Sequence, residues 1–367
     1  MMRAAILLLL WCAAANADIR DIVTRLRSAN ADGMDVPSQV ALDLKELKHA
    51  IRDIIVQTVT APENSQSSAG DVTARVIEQL GVPLQDEAGY GRIDGIELSR
   101  PAEYSHWLIA SVSLQIPYGV DTSLYVFEER GAGWRLAMAV ETNGYRSIDG
   151  AQGWLTYRVG ISAEGGLPFL VTSEVTPSMA SIWQGLRLRA FRVGAHPDRP
   201  VVLVRRLLGI NIVQSYQVAV HNGGFALLYE GSAAEPDQSI WPGVRYLEYS
   251  LGAGAAKRVI ETAVDPIVWI HRWAWHPWTE ASAMVDSAGR EAARPWHEPL
   301  RSHEWGCGLG GVQLSTRVDA GREVLYAVVP CEHVDNNTPS VYAVFRGGSQ
   351  GFRLATLSVR PPEWLKE

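Results

Sequence analysis

The chain has 367 residues, with 33 basic and 40 acidic side chains and a formal net charge of −7. Hydrophobic residues make up 47% of it and charged residues 20%, a balance that supports a buried core and excludes a chain that stays disordered. An acidic surface repels phosphate backbones, so neither nucleic acid nor an anionic membrane surface is an expected partner.

Residues 1–17 read as a secretory signal. Arg3 supplies a short basic region, Ala4 to Trp11 an apolar run, and Ala15-Asn16-Ala17 an A-x-A cleavage site. The run is far shorter than the roughly 20 residues of a spanning helix. Cleavage near Ala17 is therefore expected, leaving a soluble periplasmic or secreted chain of net charge −8 with no membrane span. Cys307 and Cys331 are the cysteines that survive cleavage. In an oxidising compartment such a pair is expected to be a disulfide.

Residues 18–85 form an expected helical region. In "DIRDIVTRLRSAN", Ile19, Ile22, Val23 and Leu26 recur at i, i+3, i+4 and i+7 and make one apolar stripe. Asp32-Gly33 interrupts it, and Pro37 suits the first turn of a longer helix. In that helix Val40, Leu44, Leu47, Ile51 and Ile54 line one side, with Lys45, Lys48, Arg52 and Asp53 expected to face away. "APENSQSSAG" (61–70) is a polar linker. A third helix, "DVTARVIEQLG", is expected to stop at Gly81.

After residue 90 the period changes to two, and residues 90–367 read as an all-β domain. Leu155, Tyr157, Val159 and Ile161 alternate with polar neighbours, as do Leu186, Leu188 and Ala190 with Arg187 and Arg189, and Val312, Leu314, Thr316 and Val318. "VLYAVVP" (324–330) is apolar throughout, like a strand covered on both faces. Turn formers such as "AEGG", "HNGG" and "RGGSQG" separate the runs. There is also an internal echo. Phe127, Gly133, Trp134, Arg135 and Leu136 match Phe345, Gly351, Phe352, Arg353 and Leu354 at one constant offset. A looser copy surrounds Phe225. Self-similar hairpins point to a propeller-like array of antiparallel four-stranded sheets, about four to five blades, near 105–150, 154–207, 215–263 and 311–360. A β-sandwich is the alternative. Residues 264–310, rich in Trp and His and poor in strand pattern, read as a degenerate blade or an insertion.

Candidate chemistry is sparse. "GGSQG" (347–351) fits G-x-S-x-G, but strands flank it on both sides where a nucleophile elbow needs a strand and a helix, so Ser349 reads as a turn residue. "GCGLGG" (306–311) leads into a strand, not a helix, and reads as the approach to a disulfide. There is no HExxH and no CxxC, and although His271, His276, His297 and His303 are numerous enough for a metal, their spacing does not demand one. Loop carboxylates such as Asp121 and Asp335 are expected to cap turns. What remains is "WIHRWAWHPW" (269–278). Trp269, Trp273, Trp275, Trp278, His271 and His276, with His303 and Glu304 beyond, could stack a ligand ring or else fix the connection to the core. The expectation is an exported, non-enzymatic binding or interaction module that needs no cofactor and takes a small molecule, glycan or protein. The alternative is an exported hydrolase or lyase acting on polysaccharide, for which Glu298, His303, Glu304, His333 and Asp335 would have to converge.

Overall fold

The computed structural model describes residues 19–31, 35–64, 67–81, 89–117, 119–131, 133–142, 146, 153–176, 183–211, 216–232, 242–252, 256–263, 266–302, 305–308, 312–319, 321–335, 338–348 and 351–366. The expected signal segment 1–17 lies outside the described residues, as do His303, Glu304 and Ser349. The protein is mainly β, its strands paired in antiparallel sheets, with a few helices. It divides into two compact units, Met1–Val159 with Pro168–Leu208, and Gly160–Leu167 with Gly209–Glu367. No helix among the described residues is long and apolar enough to cross a membrane.

In the first unit, helix α1 (19–27) buries Ile19, Ile22, Val23 and Leu26, the expected stripe. Helix α2 (Ser38–Thr60) buries Val40, Leu44, Leu47, Ile51, Ile54, Ile55 and Val59. Lys48, expected to face away, is instead buried: one turn beyond Leu44, it lies on the stripe itself. Helix α3 (Ala69–Leu80) begins at Ser68, whose Oγ accepts from the Asp71 backbone N–H at 3.1 Å, and ends at Gly81 in the left-handed conformation.

These helices cover one face of a meander whose strands β1 (Ile93–Ser99), β2 (Trp107–Ile116), β3 (Gly119–Arg130) and β4 (Gly133–Val140) pair in chain order. Alternation divides the meander between two cores. Leu108, Ala110, Val112, Tyr125 and Phe127 pack with the helices. Trp107, Ile109, Leu124, Val126, Met138 and Val140 pack on Val159, Leu170 and Phe191 of a second meander. Its strands are β5 (Leu155–Ile161), β6 (Pro168–Val175), β7 (Trp183–His196) and β8 (Arg199–Asn211).

Strands β9 (Gln217–His221), β10 (Gly224–Ser232), β11 (Pro242–Leu251) and β12 (Ala256–Ala263) of the second unit are again paired as neighbours, and β10 also pairs with β8, Gly231 opposite Ile210, so that β5–β12 belong to one eight-stranded sheet. The β9–β10 turn is Asn222-Gly223, with Gly223 at φ 88°, as a two-residue hairpin requires. Residues 266–302 are helical: α4 (Pro266–Trp275), α5 (Trp278–Ala281), two 3-10 turns and α6 (Arg290–Arg301). A last sheet follows, β13 (Trp305–Cys307), β14 (Gln313–Asp319), β15 (Arg322–His333), β16 (Val341–Gly348) and β17 (Gly351–Ser358), in which β13 and β14 both pair with β15. A 3-10 turn, Glu363–Lys366, closes the chain. The helices pack on one face of this sheet through Ile270, Trp273, Ala293 and Leu300 against Leu325, Ala327, Val329 and Phe345.

The sequence echo is a structural one. In β3–β4, Leu124 faces Val140, Val126 faces Met138 and Phe127 faces Leu136, with a bulge between Val126 and Phe127. In β16–β17, Tyr342 faces Ser358, Val344 faces Thr356 and Phe345 faces Leu354, with the bulge between Val344 and Phe345. The third strand matches too: Trp107 pairs with Glu128 as Tyr326 pairs with Arg346, and Val112 with Ser123 as Cys331 with Val341. Each unit thus carries a helix-covered meander of one register. The cross-strand pair Ile96–Val112 of the first is replaced by Cys307–Cys331 in the second, and those two cysteines are disulfide-bonded.

Candidate functional site

The Trp/His segment sits on α4 and α5, and its rings serve the core to different degrees. Trp273 is fully buried, donates from Nε1 to the Ala281 carbonyl at 3.1 Å, and stacks on Trp269 at 6.5 Å between centroids. One helical turn separates that pair, which puts both on one face. Trp269 also meets Phe345 edge-on at 5.0 Å. Trp278, half-buried, meets Trp273 edge-on. His297 of α6 is buried beneath Trp273 and Trp278, with its Nε2 2.9 Å from the His276 carbonyl. His276 lies 3.0 Å from Glu280 on the surface side. Trp275, 61% exposed, and His271, exposed, point out of this core.

Of the residues that the hydrolase alternative needs, His333 and Asp335 lie together, Glu298 sits on another element, and His303 and Glu304 lie outside the described residues. Glu298 is exposed on α6 near Arg301. Asp335 accepts from the Thr338 backbone N–H and hydroxyl, both at 3.0 Å, and so caps its turn, while also holding His333 at 2.9 Å. His333 itself packs edge-on against Trp305. No group of three or more potential metal ligands occurs among the described residues. Asp121 is not the expected turn-capping loop carboxylate. It lies within β3, fully buried, 2.5 Å from Lys48 of α2, because the strand begins at Gly119.

A cleft of about 720 Å³ opens on the sheet β14–β17, on the face away from the helices. Arg317, Tyr326, Val344 and Thr356 form its strand wall, and Arg360 and Trp364 of the C-terminal segment form the other side. The Arg317 guanidinium stands 5.1 Å over the Trp364 ring, and Tyr326 lies 5.7 Å from it. Arg346 is ion-paired with Asp319 at the rim. Burial pushes the Tyr326 phenol above its ordinary range, with Arg346 opposing the shift. Among the described residues neither Arg317 nor Arg360 makes an ion pair. Nothing in the sequence marks this place: its parts are single residues on four strands and a tail, brought together by pairing register alone.

No protein-family model, no curated protein and no solved structure matches this chain. The comparison that does inform the site is internal. Trp107, Leu124, Val126, Met138 and Val140, which pack on the second meander in the first unit, correspond to Tyr326, Tyr342, Val344, Thr356 and Ser358 in the second. Four of the five apolar side chains are replaced by hydroxyl-bearing ones, and three of those line the cleft.

Proposed function

We propose that this chain is an exported, non-enzymatic binding module whose ligand sits in the cleft on β14–β17. The observation that carries this reading is the change of one sheet face from apolar to hydroxyl-bearing between two units of the same register, at the place where the cleft opens. A face selected only for packing would keep the apolar set, since each buried Leu or Met side chain contributes about 1.5–3 kcal/mol. The volume is that of a small-molecule site, and aromatic rings with a few polar groups are the usual lining. The rim carboxylate Asp319 is held by Arg346, which suits hydrogen-bonding recognition.

Export is supported by the A-x-A site at Ala15–Ala17 and by the Cys307–Cys331 bond, which needs an oxidising compartment to persist. Sequencing the N-terminus of the mature chain tests it: a start at Asp18 is expected, and retention of Met1 in the exported fraction counts against it. The pairing of consecutive strands in chain order supports a propeller-like array, while the single eight-stranded sheet of β5–β12 and the packing of β1–β4 on Val159, Leu170 and Phe191 would equally suit a sandwich. The binding reading is tested by a glycan-array and thermal-shift screen of the mature protein. At least one ligand should raise the melting temperature in the wild type but not in Trp364→Ala. A screen in which nothing binds sinks the reading.

A further inference from the structure

We infer that the cleft takes an acidic saccharide, a sugar ring carrying a carboxylate. The inference rests on the binding-module reading and names its ligand class.

Three features of the cleft converge on that chemistry. First, Arg317 and Arg360 both line the cleft and, among the described residues, neither makes an ion pair; of the two carboxylates that line it, Asp319 is already held by Arg346, which leaves Glu363 against two guanidinium groups. A planar fork of N–H donors matches a carboxylate. Exposed arginines without partners are common, but two in the lining of one cleft, with a single unheld carboxylate, leave an excess of positive charge that an anion complements. Second, the Trp364 and Tyr326 rings line the same space, 5.7 Å apart, with the Arg317 guanidinium over one face of Trp364. Such rings accept the apolar face of a sugar as readily as that of an aromatic compound. Third, donors and acceptors alternate at the rim. The Asp319 carboxylate, paired with Arg346, and the hydroxyl groups of Thr356 and Ser358 line the cleft and can take both the hydrogen and the oxygen of ligand hydroxyl groups. A bare aromatic acid would use the first two features and leave the third unpaired. A neutral sugar would use the last two and leave the guanidinium groups unmatched. The acidic saccharide uses all three.

Isothermal titration of the full mature protein with an oligogalacturonate, the neutral galactose oligomer of equal length, and benzoate separates these. The uronate should bind, more weakly as salt rises, and either of the others at least tenfold less well. Arg317→Gln and Arg360→Gln should each weaken the uronate by about 10- to 100-fold, the loss of one charge-assisted hydrogen bond, with Arg317→Lys intermediate. Trp275→Ala, on the exposed side of α4, should leave binding unchanged. Equal affinity for the neutral oligomer, or indifference to both arginine variants, overturns the ligand class. If in that case another ligand still loses affinity in Trp364→Ala, the binding-module reading survives. If no probe and no ligand of the wider array binds, both fall together.

Discussion

Replacing Lys48 by methionine takes away the ammonium group that faces the Asp121 carboxylate in the first unit's core. Lys48 is 2% exposed and Asp121 0%, so water cannot take over the lost contact. The uncompensated charge must either stay desolvated or be neutralised. Protonating an ordinary aspartate at pH 7 costs about 4 kcal/mol, and deprotonating an ordinary lysine about 4.5 kcal/mol. Neutralisation therefore caps the penalty, and Lys48→Met or Asp121→Asn should each destabilise the protein by about 3–4 kcal/mol, within the range for one-sided removal of a buried pair. The double variant Lys48→Met/Asp121→Leu removes both charges and should lie within about 1–2 kcal/mol of the wild type. Guanidinium unfolding of the four proteins at pH 7 reads all of this. Single variants that cost less than 1 kcal/mol, or a double variant as unstable as either single, would refute the argument that the pair is desolvated.

Further outcomes follow from the packing. Trp273→Ala should cost about 3–5 kcal/mol by opening a cavity between Trp269, Trp278 and His297, whereas Trp275→Ala should stay within about 0.5 kcal/mol; equal costs in a urea melt would contradict the burial of that segment. Reducing the bond between Cys307 and Cys331, 24 residues apart, should lower stability by about 3 kcal/mol through the unfolded chain's regained freedom. A melting temperature unmoved by dithiothreitol, with both thiols titrated as free, would contradict that. Burial, and then the nearby Glu141 carboxylate, push the Tyr125 phenol well above its ordinary range. Its proton is therefore kept by the folded chain and lost by the unfolded one once pH exceeds about 10. Stability should be flat in this term below pH 10 and fall above it by about 1.4 kcal/mol per pH unit, and Tyr125→Phe should remove that share of the slope. Identical alkaline slopes for the two proteins would count against it.

Much of this fold was legible because alternation and periodicity report burial directly. The stripes of α1 and α2 and the strands around Leu155, Leu186 and Leu314 lie where their periods place them, and the Asn222-Gly223 turn signals its hairpin. The echo of β3–β4 in β16–β17 was legible to the residue from its constant offset, whereas the bulge that the two hairpins share shows only in the pairing register. Helix α6 was not. It carries Pro295 and Pro299 within it, and prolines in a helix interior remove a hydrogen bond and normally end the run. The segment "WIHRWAWHPW" showed that aromatics mattered but not which way they pointed. Helical spacing buries Trp273 with Trp269 and leaves Trp275 outside, a difference that composition does not encode. Lys48 and Asp121 defeated the reading for the opposite reason: each looks like a surface residue in its own element, and only the approach of α2 to β3 makes them a pair. The cleft was invisible for the same cause, since its wall is assembled from four strands by register.

The contrast between matched faces of the two units is open to hydroxyl-radical footprinting of the mature protein, with and without oligogalacturonate. Trp107 should resist oxidation under both conditions, while Tyr326 and Trp364 are oxidised in the free protein and shielded when the saccharide is added. Oxidation of Trp107 at the rate of Tyr326, or Tyr326 and Trp364 that react equally with and without every ligand, would contradict the account.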